Sequence, residues 1–290
     1  MQPGSVGPSK RSATGLVFVA LVLVGAGRAL SAEAPPAVPA PPPSAVAPQT
    51  DSQREAQVLL DRMTRHLASL SSFSVQFRDG YDVVQPTGQK IEFGETRRMT
   101  VARPDRLRVE EVASDGEHDV AIFDGKTISV LDSDEGVYAQ AAQPGSVDEA
   151  LVYYVRSLRL RMPLALLLTR NLPDVLTGRI RSLDYVEHTD ILGLPAHHIA
   201  GRGETVDFQF WIRDSPEPLP MRVVITYRNA QGQPQFWANF SDWSARPAIS
   251  PTTFVFAPPK DARKIPFAVQ VRGSPPPAPP SGAGDKESQP

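Results

Sequence analysis

Directly after Leu70 the apolar period of the chain changes from a helical one to two, and the period of two recurs along most of the chain from there to Phe240. Phe73, Val75, Phe77, Tyr81 and Val83 alternate with Ser74, Gln76, Arg78 and Asp82, and Ile91, Phe93, Met99 and Val101 share one phase. The same alternation returns in Val206, Phe208, Phe210 and Ile212, in Leu219, Met221, Val223, Ile225 and Tyr227, and in Phe236, Ala238 and Phe240. Successive side chains of an extended chain point to opposite faces, so each run is a strand with one apolar and one wet face. Pro86-Thr87-Gly88, Asp124-Gly125, Asp134-Glu135-Gly136 and Ala230-Gln231-Gly232 separate the runs, and short polar turns of this kind join antiparallel neighbours. The chain reads as a large meandering sheet whose apolar side must be covered.

Helices supply the cover. Ser52-Gln53-Arg54-Glu55 has the form of a capping box and opens a helical stripe of Ala56, Leu59, Leu60, Met63, Leu67 and Leu70. Ser146-Val147-Asp148-Glu149 has the same form, and Met162 to Leu168 is apolar almost all round, which predicts short helices between the two sets of strands. The fold class is α+β: a curved antiparallel sheet, an incomplete β-barrel, with helices laid across its concave apolar face. The space between is either a packed core or a ligand cavity, and from the pattern alone the packed core is the better reading because most apolar faces simply pack.

The ends of the chain differ from this middle. Lys10 and Arg11 precede an apolar run from Gly15 to Gly27 and the small stretch Ala29-Leu30-Ser31-Ala32, the pattern of a signal peptide over residues 1–32 that directs export to the periplasm. A retained inner-membrane tether is the alternative, but Arg28 cuts the run short of the ~20 apolar residues a spanning helix needs. Residues 33–50 are a Pro/Ala-rich spacer, 51–260 the folded domain and 261–290 a second proline-rich tail. With no cysteine, the chain has no disulfide, thiolate metal site or lipidated-cysteine anchor. Its 30 basic and 32 acidic residues are interspersed, which argues against a nucleic-acid partner. The clusters Arg97, Arg98, Arg103 and Arg156, Arg159, Arg161 read as solvated faces.

The sequence carries no nucleophile elbow, phosphate loop, zincin helix or dinucleotide fingerprint, and no cofactor is expected. His197 and His198 follow the turn Gly193-Leu194-Pro195, but neighbours on a strand point to opposite faces and cannot chelate one ion together. One of them could join His188 or an acidic residue across the sheet; no ligand spacing singles out such a set, so an ordinary hydrogen-bonded strand histidine is the better reading and no metal site is expected. His66 reads as a boundary residue of the first helix, Glu110-Glu111 and Asp134-Glu135 as strand-edge and turn residues. Trp211, Trp237 and Trp243 read as residues packed at the sheet surface or core rim rather than as a platform for a sugar or peptide.

Four segments, in order, resemble the LolA-like and LolB-like periplasmic carriers of outer-membrane lipoproteins: Ser71-Ser72-Phe73 after a helix, Arg103-Pro104-Asp105-Arg106-Leu107, Asp124-Gly125-Lys126-Thr127, and Phe254-Val255-Phe256-Ala257-Pro258-Pro259. Pro163-Leu164 through Leu168, His197-His198 and Trp211-Ile212 through Pro218-Leu219-Pro220 resemble more closely a family of predicted periplasmic proteins, a domain of unknown function sharing that fold, over Asp51 to Pro259. Gln140 to Gly203 departs from the carrier pattern. The resemblance implies an apolar cavity for acyl chains, an arginine that hydrogen-bonds the helical lid, at Arg103, and a lid leucine at Leu67. The expectation is a monomeric periplasmic carrier of a lipid or acylated lipoprotein, not an enzyme. Leu67, Phe73, Phe77, Leu107, Leu164 and Leu167 would line the ligand and Arg103 would latch the lid. An envelope interaction module with a packed core, docking a protein partner, is the alternative; a hydrolase or metal enzyme around His197 or His198 ranks below both.

Overall fold

The computed structural model describes residues 49–160, 162–191 and 193–267; the signal-like run, nearly all of the spacer and most of the second tail lie outside them. Helix α1 (Asp51–Ser69) is followed by a meander of six strands, β1 (Ser72–Val84), β2 (Lys90–Ala102), β3 (Arg106–Ala113), β4 (His118–Phe123), β5 (Thr127–Asp132) and β6 (Val137–Ala142). Next come α2 (Val147–Arg156), a 3-10 turn (Ala165–Leu168) and α3 (Leu172–Thr177). A second meander holds β7 (Ser182–Ile191), β8 (Leu194–Arg202), β9 (Val206–Arg213), β10 (Pro220–Tyr227) and β11 (Gln235–Ser244), and the two-residue β12 (Arg263–Lys264) comes last. No helix among the described residues is long and apolar enough to cross a membrane.

The strands form one open sheet in the order β12-β6-β5-β4-β3-β2-β1-β11-β10-β9-β8-β7. Each meander pairs sequentially, and the two are joined where β1 lies antiparallel to β11, with Phe77 opposite Phe240 and Tyr81 opposite Phe236. This is the expected fold class. Because β6 and β7 sit on opposite flanks, the segment that connects them must traverse the sheet. It does so as α2, the 3-10 turn and α3, which pack with α1 on the apolar face.

Helix α1 buries Ala56, Leu59, Leu60, Met63 and Leu67 against that face, each large side chain contributing about 1.5–3 kcal/mol. Thr64, wholly buried among them, returns its hydroxyl to the Leu60 carbonyl at 2.9 Å. The capping box lies two residues earlier than the sequence pattern suggests: Thr50 and Gln53 exchange the reciprocal bonds. Ser52 is engaged elsewhere, its hydroxyl donating to the Tyr185 carbonyl at 3.2 Å and accepting from the Tyr185 amide at 3.0 Å. The second box, Ser146 with Glu149, is formed as expected.

Beyond residue 260, Arg263–Lys264 pair parallel with β6 and Phe267 is buried. Before residue 260, Phe254 is buried and Phe256 packs on Tyr138 at 5.4 Å, in a segment without regular secondary structure. One reading of the sequence needs correction: Arg97 is no solvated residue. In phase with Met99 and Val101 it points into the apolar side, only 4% exposed, and pairs with Asp79 and Glu95 and, at 2.8 Å, with Glu111. Phe77 lies 6.0 Å beneath the guanidinium.

The row continues across the sheet, because Glu111 faces Asp119 on β4 and Asp119 faces Asp132 on β5. Desolvation, then Asp132 and Glu111, push the Asp119 carboxyl up to about 6. Replacing Arg97 by Met removes the cation that neutralises this row. Breaking one side of a buried pair costs about 3–5 kcal/mol, and the Arg97→Met melting temperature is expected to fall by roughly 10 °C in a domain of this size. Asp119 behaves oppositely: its pKa is above the ordinary 3.8 in the folded state, so ionising it destabilises the fold as pH rises from about 4 through 6. Asp119→Asn is expected to be more stable than the parent at pH 7, by about 1 kcal/mol or less given its exposure to solvent, and equally stable below pH 4. Paired urea titrations at the two pH values measure the difference.

The candidate binding site beneath the helices

The apolar interior begins on β1. Phe73 and Phe77 are fully buried there, joined by Leu107 from β3, Leu67 from α1 and Leu167 from the 3-10 turn, all in one continuous cluster. Leu164 packs against that cluster partly buried. The structure thus brings the six residues singled out from the sequence onto one apolar interior. Trp243 joins them, its ring 5.9 Å from Phe73 and 5.8 Å from Phe240, with the indole N–H donating to the Pro220 carbonyl at 3.0 Å. A bulge near Asp242, whose φ is 53°, turns Trp243 to this face, a change of phase that alternation alone does not reveal.

Between α2 and strands β3, β4 and β5, a crevice lined by Leu107, Ala121, Phe123, Ile128, Leu151 and Met162, among others, has a cavity volume of about 10 Å³, enough for about one water molecule. Tyr154 of α2 is held nearby, and burial, with Glu111 and Asp119 adding to it, raises its phenol above the usual range.

Arg103 stands at the junction of the helices and the sheet, one residue beyond β2. Its Nη1 donates to the Leu70 carbonyl and, at 3.3 Å, to that of Leu67, where α1 ends. Its Nη2 donates to the Leu168 carbonyl at 2.7 Å, where the 3-10 turn ends. Helix ends leave carbonyls without intrahelical partners, and a cation is the partner that suits them. Phe73 lies under the guanidinium at 5.3 Å. Burial, followed by the charge of Arg170, lowers the pKa of Arg103 while Asp148 opposes the shift. The backbone between α2 and the 3-10 turn is strained at two points, with φ of 59° at Arg159 and 60° at Leu164, a conformation that costs a non-glycine residue about 1–2 kcal/mol.

The histidines divide between the faces, as their adjacency requires. His198 points outward, stacked on Trp211 at 4.0 Å and bonded through Nε2 to Gln209 at 3.0 Å. Arg222 lies 5.6 Å over Trp211 and 5.5 Å over Trp237, and Trp237 donates to Glu92 at 2.9 Å. Trp211 and Trp237 therefore pack along the sheet surface, and Gly80 is required beneath Trp237, whose ring would meet an added Cβ at 2.7 Å.

His197 takes the other face with Ile199 and stands directly opposite His188. Its Nε2 is 3.4 Å from Oδ1 of Asp214, and His188 donates from Nε2 to Oδ2 of the same carboxylate at 3.1 Å. The hydrogen bond from His188, with His197 beside it, holds the Asp214 carboxyl below the ordinary range. The sequence pattern does not single out this grouping, although part of it is legible there. The turn between Ile191 and Leu194 fixes the register, and counting back three pairs from it places His188 opposite His197.

No curated protein matches the sequence. Among solved structures, LprF from Mycobacterium bovis is 15% identical with a TM-score of 0.45, over 70% of this chain and 99% of that one. The lipoprotein LppX from Mycobacterium tuberculosis is 15% identical with a TM-score of 0.44, over 68% and 99% of the two chains. A LolA superfamily protein from Nitrosomonas europaea is 11% identical with a TM-score of 0.34, over 68% and 96%. Residues 56–268 match the family described as predicted periplasmic protein (DUF2092). The chain belongs to that family of periplasmic proteins.

Proposed function

We propose that this protein is a carrier that takes an apolar ligand, the acyl chain of a lipid or lipoprotein, between its helices and the apolar face of its sheet. The observation that carries the reading is the position of Arg103. One guanidinium holds the ends of both α1 and the 3-10 turn over an interior of Leu67, Phe73, Phe77, Leu107, Leu164 and Leu167. Releasing those carbonyls frees the segments that cover the apolar face, and the positive φ angles of Arg159 and Leu164 favour their rearrangement. The crevice beneath α2 has space for about one water, so loading an acyl chain there must displace that helix. A second reading, an envelope interaction module, is favoured by the small volume of that same crevice.

Native mass spectrometry of the mature protein from the periplasm, followed by organic extraction, separates the two. A co-purifying phospholipid or acylated species near one-to-one supports the carrier. A bare mass that does not change on adding lipids or acylated peptides sinks it in favour of the interaction module. Arg103→Leu should keep the fold and change ligand release, and amides of residues 158–178 should exchange with deuterium roughly tenfold faster or more, the factor given by ~1.4 kcal/mol of lost charge-assisted bonding. Unchanged ligand exchange in that variant counts against Arg103 as the latch.

A further inference from the structure

We propose that His188, His197 and Asp214 form a binding site for a divalent cation of the zinc class, with water completing the coordination. The three ligand atoms lie within 4.8 Å of one another. The Nε2 atoms of His188 and His197 are 3.1 and 3.4 Å from the two carboxylate oxygens of Asp214. Ligand atoms bound to zinc at ~2.0–2.1 Å in a tetrahedron are separated by about 3.4 Å. An ion can therefore take the place of the shared protons with little movement of the side chains.

The chemistry selects the class of ion. Two imidazole nitrogens and one carboxylate suit Zn²⁺, Cu²⁺ or Ni²⁺, whereas Ca²⁺ requires six to eight oxygens and Mg²⁺ a near-ideal octahedron of them. His188 and Asp214 are each half exposed at the side chain and His197 one-fifth exposed, so an ion has an entry path and a solvent-facing position for water.

The frame is rigid, with each ligand on a different part of the sheet: His188 on β7, His197 on β8, and Asp214 one residue past β9, its amide bonded to the Pro195 carbonyl at 3.0 Å. A bulge between Tyr185 and Glu187 brings Tyr185 to the same face, and its hydroxyl lies 3.4 Å from Nδ1 of His197. A metal on Nε2 forces the proton of a neutral histidine onto Nδ1. A hydroxyl both donates and accepts, so Tyr185 serves His197 with and without the ion. Ser52 of α1 holds the backbone of Tyr185 on both its amide and its carbonyl. The site is thereby tied to the first turn of the covering helix. It does not depend on what the interior carries.

The experiment uses the full chain, purified without a histidine tag, stripped with EDTA and titrated with Zn²⁺ by calorimetry. Co²⁺ serves as a visible-absorbance probe of the geometry. The expected result is one Zn²⁺ per chain, a raised melting temperature, ligand-field bands from bound Co²⁺, and no competition from excess Ca²⁺ or Mg²⁺. His188→Gln and Asp214→Asn, on separate segments and half exposed, should keep the circular dichroism of the parent and weaken Zn²⁺ binding by more than about 100-fold. Tyr185→Phe should weaken it by about tenfold, the smaller effect of an outer-sphere partner. His118→Ala, on β4, should leave it unchanged. The proposal is overturned if the parent forms no one-to-one Zn²⁺ complex, or if both His188→Gln and Asp214→Asn bind as the parent does.

Discussion

The pairing of β1 with β11 is the constraint on which the remainder of the molecule depends. It joins two sequential meanders into one sheet and buries Phe77 and Phe240 against each other at 5.4 Å on its apolar side. Once the meanders are joined, the ends of the β6-to-β7 connection lie on opposite flanks, and the connecting segment can span them and cover apolar surface at the same time. The placement of α2, the 3-10 turn and α3 over the apolar face thus results from strand order. Their short sequences supply contact surface but only modest intrinsic helical stability.

Strand β2 and the residue just beyond it put a guanidinium at each end of one apolar row. Arg97, Met99, Val101 and Arg103 share a phase; the first meets carboxylates and the last meets carbonyls. The two partner types behave differently when broken. Carboxylates left without a cation inside an apolar surface are an electrostatic liability. Helix-end carbonyls left without it can turn to water. The same residue type therefore ties strands to one another at one end of the row and ties helix ends to the sheet at the other.

Much of this is legible in the sequence because alternation survives wherever a strand is regular. The apolar phase of β1, β9 and the second half of β2 locates buried side chains, whereas Ile91 and Phe93, in the same phase at the start of β2, are exposed; the box at Ser146 marks the start of α2. Legibility fails where a single residue changes phase or a polar group breaks the hydrophobic rule. The bulges near Asp242 and Val186 bring Trp243 and Tyr185 to faces that simple counting denies them. Arg97 lies in phase with Met99, but composition marks it as a surface residue, and only the carboxylates on the flanking strands make its burial tolerable. Thr50 and Ser52 both head capping-box patterns, and the distant backbone of Tyr185 decides between them.

An open sheet has two rims, and each exposes backbone groups to any strand that approaches. At one rim β12 contributes two residues, and Arg263 and Ile265 donate their amides to the carbonyls of Gly136 and Tyr138. At the other rim β7 carries Asp184, Glu187, His188 and Asp190. Charges on a rim disfavour self-association by like-charge repulsion, and a short terminal strand occupies sites that would otherwise template growth. A sheet that carries so large an apolar face is thereby guarded against polymerising edge to edge.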